Sequence, residues 1–178
     1  MLKTLDLKSE IVSDPKNLEK YSHLILPGVG HFTEGSSKLD INGWRPALLE
    51  FTLNKPLLGI CLGMQLLGHS SEEGAGLGLN LLDFKVEKIL SSQSNRELHM
   101  GWNKVDWADA RTSPENERFY FVHGYFVRGT HEFTSGTTSY GVEFTSAVRF
   151  ENIWGYQFHP EKSHKYGFAA IREFTNFR

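Results

Sequence analysis

A single thiol, Cys61, sits in the stretch KPLLGICLGMQLLG, residues 55–68. Glycines stand two residues to either side, Gly59 and Gly63, and an apolar strand-like run gives way at the cysteine to an apolar helix-like one. This is the layout of the G-x-S-x-G nucleophile elbow with sulfur in place of oxygen. The glycines admit neighbouring backbone where a Cβ would clash. A helix N-terminus favours thiolate over thiol, and the N–H of Leu62 can point at a developing oxyanion. Gln65 follows Cys61 by four residues, so on a helix that starts at the elbow its amide would stand beside the sulfur. Taken alone, the stretch also reads as a cysteine simply buried at an apolar helix start. A second signal, QFHPEKS, separates His159 from Glu161 by one residue. Extended backbone points residues i and i+2 the same way, so imidazole and carboxylate can meet. A nucleophilic cysteine needs a base, and the base needs a third group to hold its tautomer. His159 and Glu161 can supply both, whereas without the elbow a His-Pro-Glu is an ordinary loop. The third signal is LPGVGHF, in which Gly28, Val29 and Gly30 follow an apolar strand. They either mark a turn or present backbone N–H groups to an anion at the carboxyl end of a parallel strand.

The elements that must position these residues alternate in the first half of the chain. KSEIV reads as a short strand. SDPKNLEKY reads as a helix, with Asp14 at its N-cap and Pro15 at its first position. HLILPGVG reads as a buried strand, and WRPALLEFTLN as a helix with Leu48, Leu49 and Phe51 toward the core. PLLGI is the next strand and LGMQLLGHSS the next helix. This order predicts an α/β fold, a doubly wound and mostly parallel sheet with helices on both faces. The second half is richer in aromatic and β-branched residues, and FKVEKIL, FYFVHGYFVRG, SYGVEFTSAVRF and IWGYQF read as strands. Glu151-Asn152 is expected at a hairpin turn, and KYGFAAIREFTNF closes the chain as an amphipathic helix. MLKTLDL reads as the tail of a helix with no strand before it.

The 178 residues fit one domain, 1–178. Charged residues make up 22% and the net charge is −2, which gives no strong pull toward nucleic acid or anionic lipid. A lone cysteine cannot close an internal disulfide. The N-terminus lacks the apolar core of a signal peptide, and no run is long enough for a membrane span. These features predict a cytoplasmic protein. His23, His31, His69, His131 and His164 show no metal-ligand spacing, so no metal is expected. Trp44, Trp107 and Trp154 are expected to serve packing.

In order along the chain, ILPGVGHF, PLLGICLGMQLL, SSEEGAGLGLNLL, HMGWN, FYFVHGYF, AVRFENIWGYQFHPEKS and EFTNF resemble the class I, triad-type glutamine amidotransferases. Within them they resemble the glutaminase subunits of imidazole glycerol phosphate synthases, and the resemblance covers essentially the whole chain. It implies Cys61 as nucleophile, His159 as acid/base and Glu161 as orienting carboxylate. It implies Leu62 and the Gly28-Val29-Gly30 backbone at the oxyanion hole. Gln65, Glu73 and the His123-Gly124-Tyr125 strand fall at glutamine-holding positions. Trp102, Asn103, Tyr120 and Lys162 fall at positions near a partner; core packing for the two aromatics and a solvated charge for Lys162 are the plainer alternatives. The implied reaction is hydrolysis of L-glutamine to glutamate and ammonia without a cofactor. The implied partner is a (β/α)8-barrel cyclase that receives ammonia along a shielded path, because bulk water would protonate it.

The sequence departs from the family pattern at three places. Gly124 stands where serine is common, which removes a hydroxyl but leaves the backbone. Leu98 precedes His99 where proline is common. The opening strand and its glycine loop are absent, and Met1 falls where an internal methionine would sit. Either the start is misplaced or the chain truncated, or a partner covers the gap; the chain alone should then be poorly soluble. The resemblance also leaves open a paralogous glutaminase that feeds amidation of a surface-polysaccharide sugar, and an inactive scaffold.

Overall fold

The computed structural model describes residues 1–89, 98–109 and 114–177. In chain order the strands are β1 (Leu24–Gly28), β2 (Leu57–Cys61), β3 (Ser70–Ser71), β4 (Lys85–Lys88), β5 (His99–Asn103), β6 (Asp106–Trp107), β7 (Phe119–His123), β8 (Tyr125–Arg128), β9 (Thr134–Tyr140), β10 (Val142–Phe150) and β11 (Ile153–Tyr156). The helices are α1 (Phe32–Asp40), α2 (Trp44–Phe51), α3 (Leu62–Gln65) and α4 (His164–Thr175).

The α/β class stands, and the sheet is mixed rather than mostly parallel. β1, β2 and β11 run parallel. Beyond β11 the order continues through β10, β8 and β4 to β3, with β9 attached to β10 and β6 to β9, and all of these junctions but β4–β3 are antiparallel. β5 and β7 form a separate antiparallel pair. The antiparallel share follows from hairpins, which join strands with fewer residues than any crossover helix. In the hairpin at Glu151-Asn152, Phe150 pairs with Ile153. Its positive φ falls on Glu151, not on Asn152. The Asn152 side chain instead donates to the carbonyls of Thr52 and Lys55, both at 2.8 Å, and so ties the hairpin to the approach to β2.

Alternation along the strands divides the core between two faces. Leu57, Val127, Val148 and Ile153 pack with Phe32, Leu48, Phe51 and Met64 on the side of α1, α2 and α3. Leu58, Ile60, Phe126, Ala147 and Trp154 pack with Ala170, Ile171 and Phe174 of α4 on the other, and Met1, Leu2 and Leu5 lie against that second cluster. Trp154 is buried, while Trp44 and Trp107 pack against the two clusters.

Several expectations for the first half are corrected. KSEIV forms no strand, and Ile11 is 97% exposed. Among the described residues β1 is paired only with β2, so KSEIV adds no strand to its outer edge, and β1 itself is only half-buried. The helix expected over SDPKNLEKY shrinks to a 3-10 turn at Leu18–Lys20, because Asn17 adopts φ 64. Asp14 caps only the local turn, accepting from the Lys16 N–H at 3.0 Å. MLKTLDL contains a 3-10 turn, Leu2–Leu5. In α2, Leu48 and Phe51 are buried but Leu49 is exposed. The helix expected over LGMQLLGHSS stops at Gln65, because a later loop takes its carbonyls. Leu79, Leu81 and Asn80 N–H groups donate to the carbonyls of Leu66, Leu67 and Gly68.

Candidate active site

Cys61 ends β2 and opens α3 with φ 53 and ψ −109, a left-handed conformation that costs a non-glycine residue energy. The turn is that sharp because glycines let the backbone close around it. A Cβ on Gly63 would lie 1.8 Å from the Leu26 carbonyl oxygen, and one on Gly59 would lie 2.5 Å from the Gly63 carbonyl oxygen. The β1–β2 register sets Gly28 opposite Cys61. Gly28 is thus the neighbour of Cys61 in the sheet, and Val29, which is exposed, and Gly30 continue the chain past the end of β1.

His159 follows β11, the other parallel neighbour of β2, and is only 2% exposed. Its N–H donates to the Tyr120 carbonyl at 2.8 Å, which hangs the residue from β7. The buried Ser163 hydroxyl reinforces this by donating to the His159 carbonyl at 2.6 Å and accepting from the Tyr120 N–H at 3.0 Å. His159 Nδ1 and Glu161 Oε1 are 2.7 Å apart. The other ring nitrogen, Nε2, is buried without a hydrogen bond of standard geometry among the described residues. Burial works against a charged ring, but Cys61 first and then Glu161 outweigh it, and the His159 pKa rises to about 9. Glu161 moves the opposite way: burial opposes its charge, but His159 holds its carboxyl below the usual value. At neutral pH the ring is thus an imidazolium between the sulfur and the carboxylate.

A chain of polar side chains runs under the sulfur. Gln157 Nε2 lies 3.8 Å from Cys61 Sγ, and the thiol in turn approaches the Val122 carbonyl at 4.0 Å. Gln65 donates to Gln157 Oε1 at 3.2 Å and to the Tyr125 carbonyl at 3.1 Å. The amide next to the sulfur is therefore Gln157, and Gln65 reaches it from the next position outward. Sequence reasoning passed over Gln157 and Ser163. The available signal was a glutamine with no polar neighbours inside the apolar run IWGYQF.

His123 Nδ1 donates to the same Tyr125 carbonyl at 2.8 Å. Its Nε2 must then accept, and it does so from His99 Nδ1 at 3.1 Å, while Asn103 Nδ2 meets His99 Nε2 at 3.3 Å. The tautomers follow from this one consistent direction of donation. Burial drives the pKa of His99 down to about 4, and burial followed by His99 drives that of His123 to about 3. Both rings are neutral, packed among Phe121, Tyr140 and Phe144. Glu73 Oε2 accepts from the Phe32 N–H at 2.7 Å, so its carboxylate sits at the start of α1, just after the Gly28–Gly30 turn. Gly124 separates β7 from β8, and its carbonyl accepts from Ile89 at 2.9 Å.

Of the residues expected near a partner, Trp102 of β5, Tyr120 of β7 and Lys162, which follows His159, come together on one side of the β5–β7 pair. Trp102 is 47% exposed, and Met100 and Leu98 are also exposed. Trp102 meets Tyr120 edge-on and stacks on His164, with Lys162 Nζ 5.2 Å from the Tyr120 ring. Asn103 faces inward instead, bonded to His99 and to the Ser139 carbonyl. A cavity of about 330 Å³, lined by Arg45, His69, Leu77, Gly78, Leu79 and Asn80, includes none of the residues around Cys61. Among the described residues no cluster of His, Cys, Asp and Glu has the arrangement of a metal site.

The sequence model of the glutamine amidotransferase class-I family matches residues 1–174. The chain belongs to that family. It is 42% identical over 181 residues to imidazole glycerol phosphate synthase subunit HisH 2 of Methanococcus maripaludis, covering 98% of this chain and 90% of that protein. It is 45% identical over 177 residues to subunit HisH of Sulfurimonas denitrificans, covering 94% and 86%. The fold is similar to a crystal structure of a glutamine amidotransferase, with a TM-score of 0.72 at 20% identity over 99% of this chain and 89% of that one. It is similar also to a glutamine amidotransferase from Thermotoga maritima, with a TM-score of 0.61 at 19% identity over 97% and 74%. No helix among the described residues is long and apolar enough to cross a membrane.

Proposed function

We propose that this class-I amidotransferase is the glutaminase subunit of an imidazole glycerol phosphate synthase. In this reading it hydrolyses L-glutamine in the cytoplasm and passes ammonia to a (β/α)8-barrel cyclase that forms imidazole glycerol phosphate and AICAR in histidine biosynthesis. The observation that carries the reading is the ion-paired His159–Glu161 unit, 2.7 Å across, coupled to a thiol on a strained elbow. The relatives at 42% and 45% identity bear the synthase subunit's name.

The Cys61 thiolate attacks the side-chain amide carbon of glutamine and forms the C–S bond. The oxyanion that results is met by the Leu62 N–H and the Gly28-Val29-Gly30 backbone. His159 gives its proton to the amide nitrogen, the C–N bond breaks, and ammonia leaves a glutamyl thioester. Water then loses a proton to His159 as it attacks the thioester, and the C–S bond breaks to release glutamate. Glu161 keeps the ring oriented throughout and balances its charge. Glu73, Gln65 and the His123-Gly124-Tyr125 segment hold the substrate. Trp102, Tyr120 and Lys162 form the partner-facing surface, and Asn103 supports it from within. The whole chain serves as one amidotransferase domain.

Cys61→Ser tests the division of labour. It should abolish glutamine-dependent synthase activity of the complex and leave the ammonia-fed reaction intact. Equal loss with both nitrogen sources would contradict the proposal.

A further inference from the structure

We infer that Gln157 is a catalytic residue of the same reaction, an amide N–H donor to the Cys61 sulfur held in one orientation by Gln65. The inference rests on Cys61 being the nucleophile. Gln157 is fully buried, so its side-chain amide must be satisfied inside the protein. It stands next to the elbow by register. β11 runs parallel to β2 with Tyr156 opposite Ile60, which sets the following residue alongside Cys61. Its own N–H donates to the Ser146 carbonyl at 2.9 Å and fixes the backbone. The two ends of the amide then have separate tasks. Oε1 accepts from Gln65 Nε2 at 3.2 Å, and Nε2 lies 3.8 Å from Sγ.

Gln65 decides which end faces the sulfur. Its Nε2 also donates to the Tyr125 carbonyl, which fixes it as the donor in this corner. A flipped Gln157 would turn an N–H toward that donor and a carbonyl oxygen toward sulfur, so both contacts would be lost. The sulfur has a partner for each protonation state. As a thiol it can donate to the Val122 carbonyl at 4.0 Å. As a thiolate it cannot, and Gln157 is then the donor that meets its charge. The same N–H acts when the C–S bond of the second tetrahedral intermediate breaks, because the bonding electron pair returns to sulfur. A hydrogen bond to a charged acceptor is worth more than one to a neutral one, so Gln157 favours the thiolate at both points.

Alkylation of Cys61 by iodoacetamide in the full chain, followed by mass spectrometry at pH 7, reads thiolate availability without glutamine. Gln157→Met keeps the volume and removes the donor. It should slow alkylation by roughly 10-fold, the loss of one charge-assisted hydrogen bond. Gln157→Leu, which removes the donor as well, should slow it as much. Should neither variant fold, Gln65→Met carries the test by freeing the Gln157 amide to turn, with at least about threefold slowing. Alkylation within twofold of the native rate in the folded variants would overturn the inference. The nucleophile reading fails separately, if Cys61→Ser retains glutaminase activity.

Discussion

His159 shows at the residue scale why type and spacing carry so much of the chemistry. Its proton is held by two neighbours of opposite reach. Glu161 is two residues away in the chain, while Cys61 arrives through the sheet. The 2.7 Å contact makes a definite prediction: Glu161→Gln keeps the shape but loses the charge that balances the imidazolium. Glutamine hydrolysis should fall by ~100-fold or more, with the fold intact by circular dichroism. A change under about threefold would mean the carboxylate does not orient the base. The short-range part of the site was legible in the sequence, because a nucleophile elbow and an i, i+2 pair are local patterns. Gln157, Ser163 and the His99–His123 pair were not. The partners of Gln157 and of the histidine pair are fixed by strand register, a property of the assembled sheet, and the Ser163 hydroxyl depends on Tyr120 arriving from β7. Gln65, expected beside the sulfur from i, i+4 spacing, bonds to the Gln157 amide that contacts it, and Cys61 itself is not helical.

At the scale of elements, the elbow depends on close backbone approach between β1, β2 and α3. A side chain on Gly63 has nowhere to go, because the atom in its way is the Leu26 carbonyl rather than a flexible side chain. Gly63→Ala should therefore destabilise the chain by about 3 kcal/mol or more, seen as a lower urea midpoint and loss of glutaminase activity together. A native midpoint would mean that β1 and α3 can separate without cost. Element types were mostly legible in the second half, where aromatic and β-branched runs became strands. In the first half, pattern overstated order. KSEIV has strand composition but no neighbour, and α3 has helical spacing but loses its carbonyls to the loop at Leu79–Leu81. Propensity proposes an element, and available hydrogen-bond partners decide it.

At the scale of the whole molecule, three buried histidines give stability a pH profile. The folded His99 and His123 rings bind protons less tightly than in the unfolded chain, with pKa values of about 4 and about 3 against 6.5. The stability they contribute is full above pH 6.5 and is lost as pH falls. His159 has the reverse sign. Its contribution is full below 6.5 and is lost as pH rises through about 9. Thermal unfolding should therefore show highest stability near pH 6.5, falling on both sides. His99→Gln should flatten the fall between pH 6.5 and 5, a range above that in which Glu161 titrates. A native profile that is level from pH 5 to 9 would contradict these assignments. The exposed face carrying Met100 and Trp102 belongs to this scale too. Trp102→Ala should weaken binding of the barrel subunit by ~10-fold or more in titration calorimetry, while leaving Cys61 alkylation unchanged.

Covalent trapping of the sulfur tests the central claim most directly. The protein, together with its barrel partner, is incubated with an electrophilic glutamine analogue, digested and analysed by mass spectrometry. The predicted result is one adduct on Cys61 that excess glutamine prevents and that His159→Ala slows sharply. An unlabelled Cys61 under conditions where the complex releases ammonia from glutamine would show that the thiol is not the attacking group.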